Sequence, residues 1–217
     1  MKETTRKILN RLFERFPKLN SYEREIKSTV ELIVDCYKNN GKILICGNGG
    51  SASDSLHIVG ELMKSFVLPR KLKNEYTEKI KEMFPENAEY FIKNLQGTLP
   101  AISLASETAL TTAYSNDNSA DLCFAQQVLG YGNSNDILIA ISTSGNSKNV
   151  IYASQIAKIK DMKVISLTGR NGGKLKEFSD ININVEEQET FIIQEYHLPI
   201  YHALCLAVEN EMFGDDK

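Results

Sequence analysis

Apolar positions along the chain follow two alternating rhythms. Leu9, Leu12, Phe13 and Phe16 recur at helical spacing, and Ile26, Val30, Ile33 and Val34 do so again, which predicts two helices between residue 2 and about 39. Pro17 and Asn20-Ser21 punctuate between them. Ser21 is the expected N-cap of the second helix, with Glu23 in a first turn where the helix dipole favours an acid. Asn39-Asn40-Gly41 stops it. Five short segments then read as strands, 42–46, 101–104, 136–142, 163–168 and 180–185, the first an apolar run closed by glycines and so a buried strand. Helical stretches separate them, for example 146–160. Residues 193–212 close the chain as a long helix with a bend expected near Pro199.

Strand and helix in alternation imply parallel crossovers. The expected architecture is therefore three-layer α/β/α around a five-stranded parallel sheet. Residues 65–99 do not fit the minimal unit. Segments 75–83 and 88–95, joined by Pro85-Glu86-Asn87, read as an inserted helical hairpin too short to hold its own core. Residues 1–217 thus read as one domain with an N-terminal helical extension (1–40) and an insertion (65–99).

Composition narrows the function classes. Apolar residues make up 42% and charged residues 24%, which excludes a disordered or collagen-like chain. The net charge of −3 gives no reason to expect nucleic acid or an acidic membrane surface as partner. No run approaches the ~18–20 apolar residues that cross a bilayer. The N-terminal residues lack a signal-peptide core, and a cytoplasmic protein is expected. Cys36, Cys46, Cys123 and Cys205 are scattered without a CxxC pair, so neither a thiolate zinc site nor a disulfide framework is indicated.

Two loops carry chemistry. After the first strand comes Gly47-Asn48-Gly49-Gly50-Ser51, whose glycines let backbone N–H groups approach an anion as a helix begins. After the third comes Ser142-Thr143-Ser144-Gly145-Asn146-Ser147, four hydroxyls around one glycine, again opening a helix. Together they suggest a phosphate site built from neutral donors. Neither has the lysine of an ATP-type loop. The GxGxxA match in the first loop lacks a ribose-binding acid ~20 residues on, so no nucleotide cofactor is expected. His57 and Glu61 lie four apart on the helix leaving the first loop, about 6 Å along its axis, and share a face. Such a pair can bind a divalent metal or hold a proton-transfer group, although an exposed helix pair is the commoner reason for it. His197 and His202 lie on the last helix, and His197 is expected to be structural.

The segments GNGGSASDSLHIVGEL, SNDN, ISTSGNSKNVI, LTGRNGG and IQEYHLPIYH, in that order, resemble the sugar isomerase (SIS) domain family, and within it the bacterial phosphoheptose isomerases. The resemblance implies an aldose–ketose isomerase that converts sedoheptulose 7-phosphate to D-glycero-D-manno-heptose 7-phosphate, for surface polysaccharides. It also implies a cytoplasmic homotetramer with a sugar-phosphate ligand and one zinc per subunit. By that resemblance Ser51, Ser142, Thr143, Ser144 and Ser147 hold the phosphate, while Asn48, Gly49, Gly50, Asp117 and Gln194 line the sugar site. Glu61 is the base and His202 its acid/base partner, and His57, Glu61, Gln194 and His202 match metal ligands. Glu61 and His202 of one site are expected from different chains. Ile192-Ile193 and Phe191 depart from many relatives at positions near the sugar. A non-catalytic phosphosugar-binding or regulatory protein, or an isomerase of another sugar phosphate, is the alternative.

Overall fold

The five predicted strands lie side by side as one parallel sheet in the computed structural model, which describes residues 1–215. The strands are β1 (Ile43–Gly47), β2 (Ala101–Ser103), β3 (Ile137–Ser142), β4 (Lys163–Gly169) and β5 (Ile181–Val185), in the order β2-β1-β3-β4-β5. Every residue of β1 and β3, and all of β4 but Lys163, is buried. Burial on both faces explains why these strands read as continuous apolar runs and not as alternating ones.

Side chains alternate across the sheet and feed two cores. Ile43, Ile45, Ile139 and Ile165 face α1 (Glu3–Arg15), α2 (Glu23–Lys38), α3 (Gly50–Met63) and, at the end of the chain, the long helix Thr190–Phe213. Leu44, Leu138, Ala140 and Val164 face the other layer. Between α3 and β2 run α4 (Asn74–Met83) and α5 (Ala88–Asn94). The second layer contains α6 (Thr108–Tyr114), α7 (Cys123–Tyr131) and α8 (Lys148–Ile159), and the terminal helix Thr190–Phe213 is α9.

Three local expectations need correction or refinement. Ser21 does not cap α2; it lies in a 3-10 turn, Pro17–Tyr22, and α2 starts after Tyr22 without a side-chain cap. α9 is helical from Thr190 to Phe213, straight through the position of Pro199 in the sequence. Pro199 has no N–H to give the Glu195 carbonyl, and both residues line an open cleft. The hairpin of 65–99 is present, but α4 buries no side chain and α5 buries only Ala88. Tyr76, Met83, Phe84, Tyr90 and Leu95 are left exposed there.

The segment leading into the hairpin is anchored by a buried ion pair that the sequence reading missed. Arg70 Nε is 2.8 Å from Glu209 on α9, with both side chains almost fully buried. The Glu209 carboxylate also accepts from the backbone N–H groups of Phe66, Val67 and Leu68. Those donors and Arg70 hold its pKa below the usual carboxylate value against the opposing effect of burial. The Arg70 guanidinium in turn donates to the carbonyls of Glu61 and Leu62, tying α3 to α9.

Candidate active site

Strand order sets the position of the site. The chain passes from β1 to β2 on one side and from β3 to β4 on the other, so the order reverses between β1 and β3. Ligands of open parallel sheets bind in the crevice at the carboxyl ends of the strands where this reversal occurs. Here β1 feeds α3 on one face and β3 feeds α8 on the other, and both informative loops open into that crevice.

The two loops are joined directly. Asn48 and Asn149 exchange a reciprocal pair of amide hydrogen bonds, 2.9 Å each. Ser142 Oγ donates to Ser147 Oγ at 3.1 Å, and Ser144 Oγ accepts from the Asn146 N–H. Ser51 and Ser142 are buried, while Thr143, Ser144 and Ser147 are half-buried. Gly49 precedes α3 at φ 55°, in the left-handed region. A Cβ on Gly50 would come within 2.5 Å of the Gln194 amide, so this glycine lets Gln194 reach the start of α3. The hydroxyl loop is braced by the β4–β5 loop: at Gly145 (φ +64°) a Cβ would lie 2.0 Å from the Gly172 carbonyl oxygen. Lys174 N–H donates to Asn146, and Leu175 N–H to the Gly145 carbonyl. The LTGRNGG stretch therefore shapes the hydroxyl loop from below.

A second cluster lies between α3 and α9. His57 Nε2 is 3.3 Å from Glu61 Oε1 on the next turn and 3.5 Å from His202 Nε2. Lys64 approaches the other Glu61 oxygen at 3.3 Å. His57 Nδ1 faces the Tyr201 hydroxyl at 3.1 Å, and Tyr201 donates to Asp54 Oδ1 at 3.3 Å. Phe66 packs against the His202 ring. Partial burial, and the positive charge of His57 when protonated, lower the pKa of His202, with Glu61 opposing. Glu61 is the shielded member, its side chain 13% exposed against 43% for His57.

One chain thus brings His57, Glu61 and His202 together. The sharing of Glu61 and His202 between chains is not required by this geometry. Gln194 reaches the start of α3, where its amide approaches Gly50, seven residues or about 10 Å of helix before His57. Asp117 lies on an exposed irregular turn, 115–119, where it accepts from the Asn116 amide. That segment approaches α8 through the Asp121–Lys148 pair. His197 is fully buried and donates from Nε2 to the Thr168 carbonyl, as suits a structural histidine, and burial pushes its pKa down to about 4.

Asn149, Asp54, Tyr201, Arg70 and Glu209 were not anticipated. For Asp54 a signal existed, because residues 54, 57 and 61 share one helix face. For Glu209 the signal was an acid within the buried stripe Tyr201, Cys205 and Val208.

The donor atoms around His57 have the chemistry that zinc takes. Their 3.3 and 3.5 Å separations are near the ~3.3 Å edge of a tetrahedron with arms of about 2.0–2.1 Å. Among the described residues, however, no three His, Cys, Asp or Glu side chains form a ready metal-holding group. Gln194, the fourth matched residue, approaches the first turn of the same helix at Gly50.

Two Gly- and Ser-rich loops at the switch point of a parallel sheet, with a His/Glu cluster on the helix that leaves one of them, mark the candidate active site of an α/β protein. The chain belongs to the SIS domain family, whose model matches residues 7–95 and 77–169. It is similar to the phosphoheptose isomerase of Helicobacter pylori, 42% identical over 191 residues, covering 88% of this chain and 86% of that protein. Among solved structures, the phosphoheptose isomerase from Neisseria gonorrhoeae superposes with a TM-score of 0.72 at 34% identity, covering 93% of each chain. The one from Francisella tularensis gives 0.74 at 32% identity, covering 90% of this chain and 91% of that one.

Proposed function

We propose that this protein is a phosphoheptose isomerase that interconverts sedoheptulose 7-phosphate and D-glycero-D-manno-heptose 7-phosphate. The observation that carries the reading is the pairing of two groups: the hydroxyl loop at the sheet's switch point, and Glu61 held between His57 and Lys64 near His202. The relatives' names supply the choice of sugar.

In this reading the phosphate rests on Ser51, Ser142, Thr143, Ser144 and Ser147, where hydroxyl donors and the α8 N-terminus favour an anion. Asn48, Gly49, Gly50, Gln194 and Asp117 line the sugar. Anchoring the remote phosphate orients C1 and C2. Glu61 removes the proton from C1 of the ketose and returns it to C2 through an enediolate. His202 serves the oxygens, giving a proton to one and taking it from the other. A neutral imidazole suits that exchange, and partial burial beside His57 shifts His202 toward that form. His57, Glu61 and His202 would hold a zinc ion, which when bound would stabilise developing negative charge on oxygen.

The protein works as a cytoplasmic homotetramer in this reading. Exposed Leu56 and Met63 on α3, with Phe191 and Leu198 on α9, are apolar surface beside the cluster that subunit contact would cover.

The test is proton NMR of sedoheptulose 7-phosphate with purified protein, with EDTA and with added zinc. A new aldose signal supports the reading, and its loss in EDTA with recovery in zinc supports the metal. No conversion under any of these conditions overturns the assignment of sugar and reaction.

A further inference from the structure

Asp54 and Tyr201 are absent from the proposed chemistry, yet they form a continuous polar path to it. Asp54 Oδ1 accepts from the Tyr201 hydroxyl at 3.3 Å, and the same hydroxyl oxygen lies 3.1 Å from His57 Nδ1. The other carboxylate oxygen, Asp54 Oδ2, is buried with no hydrogen-bond partner. Among the described residues, the Tyr201 hydroxyl is the donor this carboxylate has. The side chain is only half-buried, but this oxygen is shielded from water without a partner, which is a cost to the folded state.

The direction of the path follows from counting protons. An ionised carboxylate only accepts, so the single hydroxyl proton of Tyr201 is committed to Asp54. The tyrosine oxygen then presents only a lone pair to His57, and Nδ1 must carry the ring proton. That leaves Nε2 facing Glu61 and His202 with its lone pair, against the pull of the Glu61 carboxylate, which as an acceptor at 3.3 Å favours a proton there. A histidine that uses one ring nitrogen is commonly fixed by a hydrogen bond from the other. Here a tyrosine hydroxyl stands between the carboxylate and the imidazole.

We propose that Tyr201, backed by Asp54, is a positioning residue that locks His57 in the Nδ1–H tautomer and aims its Nε2 lone pair into the Glu61–His202 cluster. The inference rests on the assignment of His57 to the site. The orientation is read without substrate, so its failure is distinguishable from failure of the isomerase reading.

The chain has 3 histidines, which makes long-range nitrogen–proton NMR on histidine-labelled protein direct to assign. At pH 8, free of metal, wild type should show His57 protonated on Nδ1. His197, which donates from Nε2 to Thr168, serves as the internal reference for the opposite tautomer. In Tyr201→Phe, His57 should shift toward the Nε2–H form while His197 stays unchanged. Zinc affinity, measured by chelator competition, should fall about 10- to 100-fold. If Tyr201→Phe does not fold, Asp54→Asn is read in the same way. A His57 that is Nε2–H in wild type overturns the proposal. So does an Nδ1–H form and a zinc affinity that both survive the substitution.

Discussion

The two ends of the candidate active site are built by opposite means. At the loop end, Ser142, Ser144, Ser147 and Asn48 act through neutral hydroxyls and amides on tight backbone turns, drawn from two short contiguous stretches. At the helix end, His57, Glu61 and His202 are ionisable side chains on rigid helices, and His57 and His202 are 145 residues apart in sequence. The loop end fits a task of holding a fixed charge that does not change during the reaction. The helix end fits a task of moving a proton. Neutral donors bind without titrating, whereas a proton shuttle must have a pKa within reach.

The sharpest way to break this division is Glu61→Gln. Turnover should fall about 10²- to 10⁴-fold with KM little changed, because the proton carrier goes while the phosphate anchor stays. Steady-state kinetics on sedoheptulose 7-phosphate decides it, and a comparable effect on KM would erase the distinction between the ends. Next in size is Arg70→Met. It leaves Glu209 buried without its cation and frees the Glu61 and Leu62 carbonyls, and should cost about 3–5 kcal/mol in chemical denaturation.

His197 ties α9 to β4 between the two ends, and its effect is visible in pH. Its folded pKa of about 4 lies below the ordinary 6.5. The unfolded chain therefore takes up the proton first as pH falls. Stability from this group is full above about pH 6.5 and declines toward pH 4, by on the order of 3 kcal/mol. Urea titrations across that range should show the decline in wild type and a flatter profile in His197→Gln. The smallest expected change is Asn149→Ala, which removes the amide link between the loops. At roughly 1 kcal/mol for a hydrogen bond, KM should rise several-fold with kcat retained.

The same contrast explains what could be read from sequence. The loop end was legible because its residues are adjacent in the chain, and because Gly145 and Gly50 mark places where a Cβ would collide. The central strands were legible because burial on both faces keeps β1 and β3 almost wholly apolar, while β5 shows itself by alternating Ile and Asn. At the helix end, the His57–Glu61 pair was visible from helical spacing, but its meeting with His202 depends on how α9 crosses α3. Periodicity does not give that crossing, and the expectation that Glu61 and His202 of one site come from different chains followed from resemblance alone. Arg70 and Glu209 escaped for a related reason: each reads as a surface charge until its partner is known. Ser21 looked like a cap because serine favours that position, yet the chain tightens into a 3-10 turn there and α2 begins two residues later.

The central claim is that Glu61 carries the proton between C1 and C2 while the hydroxyl loop anchors the phosphate. It is tested most directly by following solvent deuterium into sedoheptulose 7-phosphate and its aldose product in D₂O. Wild type should place deuterium on the carbon-bound position of recovered ketose and product, and Glu61→Gln should not, although it still binds the sugar phosphate. Deuterium incorporation by Glu61→Gln at the wild-type rate would contradict the account.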